Sequence, residues 1–576
     1  MQTEWSKEFP VFRRITSNES YTIHGHDTFL PNDDFYKTHP EMLEKRKRKL
    51  KEARQDFVYK HEDGLPVMVK KIPYQEWFSF GYAMDLTCEL VKLYFVGLDN
   101  DDWGDKIEDF KDLYTHRPLI APSDLERWTS DEKFGLQRLL GVNSNAIRRV
   151  KDMAELKKLQ VHEHDLVLAS EKLTVKDAFT AKRLFIVDHG ILQDCPTIAE
   201  VILCCPIALF VRRSDGMIVP VAIQLFQNKS KNNPVFLPSD DEKTWQLAKM
   251  WFNNADAQVH QSISHLGYTH LIMEGFAVAA HRHLSTSHPI FKLLAPHFLY
   301  LMKINMLSIK RLLGKGEVLD EVMSSGAVGG KHMIAKFHNQ WRLNVEGTLP
   351  ADLKARGVED KEVIPNYPFR DDALLTYNAI KRYVGMYVNL YYASDKVLQN
   401  DYEVQDWRHD MDLPIPSGGL GVADVPGNNG MFQTRHELTL VVTSIIYTCS
   451  VGHAAVNFKQ YEEYAFPLNY PSKLNGTPPT DKRERTERDI IAILPPKPKH
   501  FKLMKVANIL SNRETKALGD FEVDYIQDPD ALELVNMFRK ELETVSQTIK
   551  ERNKQRPQEL QYAYLDPQSI PNSISI

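Results

Sequence analysis

A long apolar segment runs from Leu438 to Phe458 and contains no Asp, Glu, Lys or Arg. Its length would allow it to cross a bilayer as a helix. Small polar residues recur through it, however, and His453 and Asn457 are four residues apart, so they share one helix face. We therefore predict a buried core helix that carries polar ligands on one side.

A second apolar, helix-forming segment, Trp245 to Asn305, holds seven of the chain's 21 histidines. His260, His265 and His270 recur at five-residue intervals, which an ideal α-helix would place about 140° apart. A π-turn, with its i→i+5 hydrogen bond, returns such residues to one side of the helix. We therefore predict a π-bulge and a buried metal site here, because imidazole is the commonest transition-metal ligand. Core or surface histidines that bind no metal are the alternative.

The histidine spacing is not that of a zinc peptidase. The zinc pattern HExxH places two histidines four apart with a glutamate after the first, whereas the residue after His260 is Gln261. The sequence therefore disfavours that class of enzyme.

The remaining pattern predicts a mainly α fold with minor β structure. Apolar residues at helical spacing predict helices from Tyr74 to Leu98 and from Ala531 to Arg552. Between Val201 and Phe226, two apolar runs flank the turn residues RRSDG and predict strands. The segment from Ala178 to Asp188 ends in a further short strand. No Gly/Ser/Pro-rich linker divides the chain, so we predict one large domain rather than several.

A strongly basic run, EKRKRKLKEAR, occupies Glu44 to Arg54. A solvated helix face is the first interpretation of this run. Contact with an anionic membrane surface is the alternative.

Composition excludes some partners and indicates a compartment. A formal net charge of -5 gives the chain no general attraction for nucleic acid, so we expect no such partner. Five cysteines, an odd number on mostly apolar sequence, indicate reduced core thiols rather than a disulfide framework. The N-terminal residues MQTEWSKEFPVFRR lack the apolar region of a secretory signal. Together these features predict a cytoplasmic protein.

The C-terminus is unusually apolar. The chain ends in PNSISI, and the α-carboxylate of Ile576 is the only charge after Asp566. This pattern predicts a buried terminus. A buried carboxylate needs a partner, and a metal ion would provide one.

Five sequence blocks occur in order along the chain: NPVFLPSD, HQSISHLGYTH, HPIFKLLAPH, HAAVNF and the terminal PNSISI. Together they resemble the signature blocks of the lipoxygenases, specifically the animal-type and related bacterial catalytic domain. The resemblance implies a large helical catalytic domain over residues 30–576, after an N-terminal extension over residues 1–29. Many animal members begin with a β-sandwich that docks on membranes with calcium, and we expect no room for one here.

The resemblance also implies a ligand set. By position in these blocks, the iron ligands are His265, His270, His453, Asn457 and the terminal carboxylate of Ile576. Residues expected around these ligands are His260, Gln261, His288, His297 and Gln460. Imidazoles, a carboxylate and an amide oxygen suit non-haem iron, with manganese as the less favoured metal.

The activity that the resemblance implies is that of a fatty-acid dioxygenase. The substrate would be a polyunsaturated fatty acid with a cis,cis-1,4-pentadiene unit. Hydrogen is removed from its doubly allylic carbon, dioxygen adds, and the product is a conjugated hydroperoxide. The protein's part would be to position the pentadiene, admit dioxygen from one side and keep the radical dry.

Positional specificity requires a long apolar channel. By family correspondence its lining residues are Leu266, Ile304, Ser308, Leu312, Val322, Met323 and Ala257. The bulk of Val322 and Met323 favours shallow insertion and the small Ala257 favours the opposite, so the oxygenated carbon stays open. Ser308 stands where the family has alanine or glycine, which leaves product chirality open. Ordinary core packing is the alternative for the apolar members.

A substrate carboxylate could be tethered at the mouth of this channel. Arg183 or its neighbour Lys182 is the candidate, because a guanidinium holds a carboxylate through two hydrogen bonds. A plain surface charge is the alternative.

Two other functions stay open. A lipoxygenase-fold hydroperoxide isomerase, forming an epoxyalcohol or an allene oxide, would use the same iron without net consumption of dioxygen. A non-catalytic lipid-binding protein is the second alternative, although all five ligand positions here hold residues of the ligand type.

Overall fold

The structure is a computed structural model that describes residues 28–62, 64–115, 119–159, 171, 173–198, 200–512 and 515–576. Most of the predicted N-terminal extension, residues 1–29, lies outside the described residues. Residues 28 and 29 already contact the folded body, because Lys292 Nζ donates to the Thr28 hydroxyl and Phe29 N–H donates to the Ser287 carbonyl.

Helices predominate, as the sequence predicts. In chain order the α-helices of the described part are α1 Phe35–Thr38, α2 Pro40–Asp56, α3 Phe80–Tyr94, α4 Asp131–Leu140, α5 Val175–Thr180, α6 Glu242–Val259, α7 Met273–His283, α8 Pro289–Leu294, α9 Leu301–Arg311, α10 Val318–Val322, α11 Gly326–His338, α12 Leu349–Arg356, α13 Pro368–Tyr391, α14 Asp395–Gln399, α15 Tyr402–Asp412, α16 Arg435–Tyr447, α17 His453–Asn457, α18 Gln460–Tyr464, α19 Glu487–Ala492, α20 Lys497–Leu510 and α21 Pro529–Gln555. Short 3₁₀ turns lie between several of them.

Two π-helical segments interrupt this series within the described residues: π1 at His260–Ile272 and π2 at Thr448–Gly452. The first joins α6 to α7, and the second joins α16 to α17, so each lies inside a continuous helical rod. The predicted π-bulge is therefore confirmed. It is longer than a single bulge, because π1 spans 13 residues.

Both rods lie in the core. Every residue of α6 from Thr244 to Val259 is buried, which is expected only of a helix surrounded by protein on all sides. The predicted core helix from Leu438 to Phe458 is likewise buried, except at the half-buried Leu440. By length and composition alone, Pro289–Arg311 and Arg435–Tyr464 could cross a bilayer, but 89% and 94% of their apolar windows are buried inside the protein. They are core helices.

The β structure is small and antiparallel. Strands β1 Tyr59–Lys60 and β2 Met68–Val69 pair with each other, and a separate five-stranded sheet has the order β3–β4–β5–β6–β7. The strands of that sheet are β3 Arg148–Arg149, β4 Leu184–Asp188, β5 Ile207–Arg212, β6 Ile218–Gln224 and β7 Val235–Phe236. The register of β5 and β6 shifts opposite Pro220, because proline has no N–H for the ladder.

The predicted hairpin between Val201 and Phe226 is therefore confirmed, but its first strand is shorter than predicted. Strand β5 begins at Ile207, directly after Pro206, and residues 201–206 form no strand. The short strand predicted to end at Asp188 is β4.

The basic run on α2 is only partly solvated. Lys47, Arg48 and Lys49 are exposed, as predicted, but Arg46 is buried. Its guanidinium donates to both carboxylate oxygens of Glu403, at 2.5 and 2.8 Å. The solvated-face interpretation is wrong for this residue, which links α2 to α15.

The cysteine prediction also needs one correction. All five cysteines lie in the described part as free thiols, and Cys204, Cys205 and Cys449 are buried. Cys195 is half-buried, and Cys88 on α3 is exposed, so it is no core thiol.

A buried ion pair joins α4 to α6 beside the sheet. Asp256 accepts from Arg138 Nη1 at 2.6 Å, from Asn143 Nδ2 at 2.7 Å and from the Tyr470 hydroxyl at 2.6 Å. Both charged side chains are fully enclosed. Burial alone would raise the pKa of Asp256, but the Arg138 guanidinium and the His189 ring hold it below its ordinary range.

We expect Asp256→Ala to lower the free energy of unfolding by roughly 3–5 kcal/mol, because it leaves the Arg138 charge buried without its partner. Urea unfolding measures this. The matched control is Asp34→Ala, which removes a pair that is open to solvent with Lys37 and should leave the unfolding curve unchanged. A loss below about 1 kcal/mol for Asp256→Ala would contradict this account of the core.

Candidate metal centre

Among the described residues, the imidazoles of His265, His270 and His453 converge in the core. The Nε2 atom of His270 lies 3.2 Å from Nε2 of His265 and 3.1 Å from Nε2 of His453. π1 supplies the first two rings, and the π register brings residues five apart to the same side. His453 begins α17, directly after π2. Both departures from α-helical geometry therefore lie at this cluster.

The protonation of His270 is fixed by Asn305. Asn305 Nδ2 donates to the His270 carbonyl at 2.9 Å and to the Glu274 carboxylate at 2.8 Å, so its Oδ1 is the remaining acceptor. That oxygen lies 2.8 Å from His270 Nδ1. Nδ1 must therefore carry the hydrogen, which leaves a lone pair on Nε2 facing the other rings.

The protonation of His265 is fixed by a longer chain of hydrogen bonds, which starts at the Leu510 carbonyl. Because a carbonyl only accepts, Asn457 donates to it through Nδ2, at 2.5 Å. Asn457 Oδ1 accepts from Gln460 Nε2 at 2.6 Å, and Gln460 Oε1 accepts from Gln261 Nε2 at 2.5 Å. Gln261 Oε1 is left to face His265 Nδ1 at 3.3 Å. His265 therefore donates through Nδ1 and also presents a bare Nε2 lone pair.

Two lone pairs at 3.2 Å with no hydrogen between them repel each other, unless a cation lies where they meet. Protonation does not relieve this at neutral pH. Burial and the neighbouring imidazoles lower the pKa of His265 and His453 well below the ordinary value, and burial lowers the pKa of His270 to about 4. Neutral imidazoles are the form that metals bind. The donor set therefore fits a transition metal.

The other two predicted ligands are buried, as a metal site requires. Asn457 is fully buried on α17, one turn after His453, and its Oδ1 retains a second lone pair beside the one that accepts from Gln460. Ile576 is 6% exposed at the end of a tail that is buried from Pro571 onwards. Whether its carboxylate completes the centre stays a prediction.

Several hydrogen bonds hold this tail in the core. His297 Nδ1 donates to the Asn572 carbonyl at 2.8 Å, and the Tyr82 hydroxyl of α3 donates to the Ser575 carbonyl. The Asn572 side chain in turn donates to the Ala517 carbonyl at 3.0 Å. His297, which was predicted to lie around the ligands, therefore acts on the tail that carries Ile576.

His260 lies beside the cluster but has no free nitrogen. Its Nδ1 lies 2.8 Å from the Tyr464 hydroxyl and its Nε2 lies 2.7 Å from the Val456 carbonyl. Its ring is parallel to that of His265, with centroids 6.0 Å apart. It packs against a candidate ligand rather than serving as one.

His288 does not contact the cluster. Its Nε2 lies 2.9 Å from the Asp401 carboxylate, and its Nδ1 accepts from Ile290 N–H at the start of α8. Both ring nitrogens are thus used between α8 and α15. The structure places this residue in helix packing rather than around the ligands.

The predicted channel residues fall on several elements. Ile304, Ser308 and Leu312 follow one another at four-residue spacing along α9 and its C-cap, so they share one face. Leu266 packs with Leu65, Met68, Leu271 and other apolar residues. Ala257, Val322 and Met323 belong to the main core. A channel through all of them stays a prediction.

Arg183 has protein partners that occupy its guanidinium. Its Nε donates to the Arg212 carbonyl and its Nη2 to the Glu171 carboxylate, both at 2.5 Å. These contacts hold it at the start of β4 in the sheet, so we do not retain it as a substrate tether.

Sequence reasoning missed the partners that orient the ligands. Glu274 lies four residues after His270 on the same helix face, which was a usable signal. It accepts from Asn305 and from Val69 N–H, and burial raises its pKa to about 7. Asn305, Leu510 and Tyr82 come from distant parts of the chain, and no local pattern marks them.

We expect Gln460→Leu to weaken metal binding by about 10–100-fold, because it breaks the chain of hydrogen bonds that orients Asn457 and His265. The rate of metal release to a chelator measures this. The matched control is Gln246→Leu, which replaces a buried glutamine whose side chain donates to the Trp128 carbonyl. Equal metal retention by Gln460→Leu and the parent would rule out the orienting role.

Comparisons with known proteins point to a single family. The family model "Lipoxygenase" matches residues 102–563. The chain is 34% identical over 488 residues to a polyunsaturated fatty acid lipoxygenase of Mus musculus, covering 83% of this chain and 70% of that protein. It is 31% identical over 547 residues to the allene oxide synthase-lipoxygenase protein of Plexaura homomalla, covering 90% of this chain. The chain spans only 50% of the length of the latter.

The fold comparison agrees. The crystal structure of a coral 8R-lipoxygenase superposes with a TM-score of 0.87 at 29% identity, covering 95% of this chain and 83% of that one. The likeness therefore extends over most of the chain.

Proposed function

Because this chain belongs to the lipoxygenase family, we propose that its histidine cluster holds one non-haem iron and that the protein oxygenates polyunsaturated fatty acids. The product would be a conjugated hydroperoxide, formed from one fatty acid and one dioxygen. The observation that supports this is the approach of His270 Nε2 to within 3.1 Å of His453 Nε2 and 3.2 Å of His265 Nε2. In addition, hydrogen bonds at Nδ1 fix the tautomers of His265 and His270.

Iron in this centre would supply the one-electron redox chemistry that removes a doubly allylic hydrogen. The chain's own residues orient and insulate the site. His265 and His270 keep their Nδ1 hydrogens bonded to Gln261 and Asn305, so their Nε2 lone pairs are left to hold the metal. The surrounding packing is apolar, which keeps water from a reactive radical.

We also propose that the fatty acid lies along the face of α9 formed by Ile304, Ser308 and Leu312. Two observations support this. The face belongs to the helix whose Asn305 contacts His270, so it passes close to the cluster. Ser308 and Leu312 are only half-buried, so this part of α9 is not closed by core packing.

Manganese is the less favoured metal for the same ligands.

The five free thiols support a cytoplasmic location, which we keep as part of the proposal. We propose no nucleic-acid partner, because the net charge of -5 gives no general attraction for one.

An oxygen electrode tests the activity directly. Iron-loaded protein given linoleic or arachidonic acid should consume dioxygen, and chiral chromatography should show one dominant conjugated hydroperoxide. Two regioisomers in racemic form would point to radical oxidation in solution and against an ordered channel. Iron-loaded protein that consumes no dioxygen with either acid would overturn the proposal.

A hydroperoxide isomerase is the second candidate, and one observation favours it. A hydroperoxide isomerase of Homo sapiens is 31% identical to this chain over 488 residues, covering 83% of this chain and 67% of that protein. An isomerase would convert fatty-acid hydroperoxide under nitrogen without dioxygen uptake. Anaerobic loss of hydroperoxide, with no oxygen consumption from the parent fatty acid, would select this activity over the first.

A further inference from the structure

A groove on the protein surface lies apart from the metal centre. It runs between α13 and the start of α16 and encloses about 800 Å³. At about 1.5 Å per residue along the helical rod, its residue Arg435 lies roughly 27 Å before His453. Sites that bind small molecules have volumes of about 300–1,000 Å³, so this groove is large enough to hold one.

The floor of the groove is open because Gly385 has no side chain. Lys381, Gly385 and Asn389 lie at four-residue spacing on α13, so they share one face of the helix. A Cβ added at Gly385 would lie 3.7 Å from the Thr439 methyl carbon, and no other described atom outside that stretch of α13 would lie within 4 Å. The Thr439 hydroxyl donates back to the Arg435 carbonyl of its own helix. The space between the two helices is therefore unfilled at this point.

Positive charge exceeds negative charge along the groove. Its charged lining residues are the cations Lys381, Arg382 and Arg435 and the carboxylate Asp395. Arg382 is paired with Glu541 of α21, and Arg435 is paired with Asp395. Lys381 is half-buried, and none of the described residues forms an ion pair or a hydrogen bond with its ammonium. That ammonium is therefore available to an anion that enters the groove.

The guanidinium of Arg435 is held in one orientation by the protein. Its Nε donates to the Asp395 carboxylate at 3.1 Å. Its Nη1 donates to Asn389 Oδ1 at 3.0 Å and to the Tyr392 carbonyl at 3.1 Å. Its Nη2 has no acceptor in the part of the chain that the structure describes. A guanidinium fixed in this way loses little freedom when its remaining N–H groups bind an oxyanion such as phosphate.

We propose that this groove binds a small ligand that carries two or more phosphate groups, which lies over Gly385 and bridges Lys381 and Arg435. The spacing of the cations indicates more than one phosphate. Lys381 lies about 12 Å along α13 from Asn389, the residue that holds Arg435. One phosphate bound at either cation leaves the other without an anion, and a second phosphate group on the same ligand reaches it.

The uncharged lining residues indicate which part of such a ligand is recognised. The described lining contains no Phe, Tyr or Trp, the side chains on which a nucleobase usually stacks. The amides of Asn378 and Asn389 lie on the α13 side instead, and amides can bond to hydroxyl groups. The chemistry therefore fits a phosphorylated polyol or pyrophosphate, either free in solution or as the headgroup of a lipid.

Isothermal titration of the full chain with inositol trisphosphate and with inorganic pyrophosphate tests the proposal. The parent should bind each probe at one site, more weakly as salt is added. Lys381→Ala should weaken binding by about 10–100-fold, the range for the loss of one charge-assisted hydrogen bond. The matched control is Lys47→Ala, which removes an exposed lysine from the basic helix α2 and should bind both probes like the parent.

Gly385→Leu tests the geometry without changing any charge. Leucine fills the floor of the groove and is a better helix former than glycine, so the variant should fold and lose binding. Gly385→Ala adds only a Cβ in ordinary contact with Thr439 and should weaken binding less.

Flotation with phosphatidylcholine vesicles that contain a phosphoinositide bisphosphate separates the two sources of phosphate. Capture of the parent but not of Lys381→Ala would identify a lipid headgroup as the ligand. Binding of the soluble probes without capture would identify a free phosphate ester. A parent chain that binds neither probe and no vesicle overturns the proposal, as does binding that survives both Lys381→Ala and Gly385→Leu.

Discussion

Removal of Ile576 should reduce oxygen uptake by more than about a hundredfold. Mutation of an outer residue that only orients a metal ligand already lowers metal affinity or activity by about 10–100-fold. This deletion displaces a predicted ligand itself. The new terminal carboxylate would be on Ser575, about 3.8 Å back along the chain. That position is where the Ser575 carbonyl now accepts from Tyr82, away from the end of the tail. Oxygen uptake and metal content of the shortened chain are the measurements.

The matched control for this deletion is Ile576→Val. It keeps the terminal carboxylate in place and removes one methylene from a buried side chain, at a cost of about 0.5–1.5 kcal/mol in stability. Its activity should stay within a few-fold of the parent. Unchanged turnover after deletion of Ile576 would show that the tail supplies no ligand.

His265→Ala should lose bound metal and activity together. The change removes one of the convergent Nε2 donors and also ends the chain of hydrogen bonds that runs from Leu510 through Gln261. We expect activity to fall by more than about a hundredfold and the bound metal to wash out on dialysis. Elemental analysis and oxygen uptake measure the two effects in the same sample.

The control for that variant is His61→Ala, which removes an exposed histidine outside the cluster. It should keep both metal and activity. Circular dichroism of both variants shows whether the fold is retained. A folded His265→Ala protein that keeps its metal and turns over would exclude the ligand assignment.

The sequence predicted the centre better than it predicted the surroundings. Five-residue spacing of histidines has one simple helical explanation, so the π-helix could be predicted from His260, His265 and His270 alone. The segment from Leu438 to Phe458 has no charged side chain, so it had to be either buried or membrane-spanning. The polar residues His453 and Asn457 favoured burial. The family follows from the ordered blocks, and the family model confirms it.

The contacts that orient the ligands could not be predicted, because they join distant parts of the chain. Asn305 reaches His270 only after α9 folds back on π1, and Leu510 sets the direction of four hydrogen bonds from the end of α20. The same limit explains Arg46. Its neighbours on α2 are solvated, and only Glu403, which is 357 residues away, accounts for its burial.

The most direct test of the central claim is the iron content of the active, purified parent chain, measured beside its oxygen uptake with linoleic acid. Three imidazoles, a terminal carboxylate and an amide oxygen predict one iron per chain, with activity that rises in proportion to iron across preparations. Full turnover by protein that contains neither iron nor manganese would contradict the account.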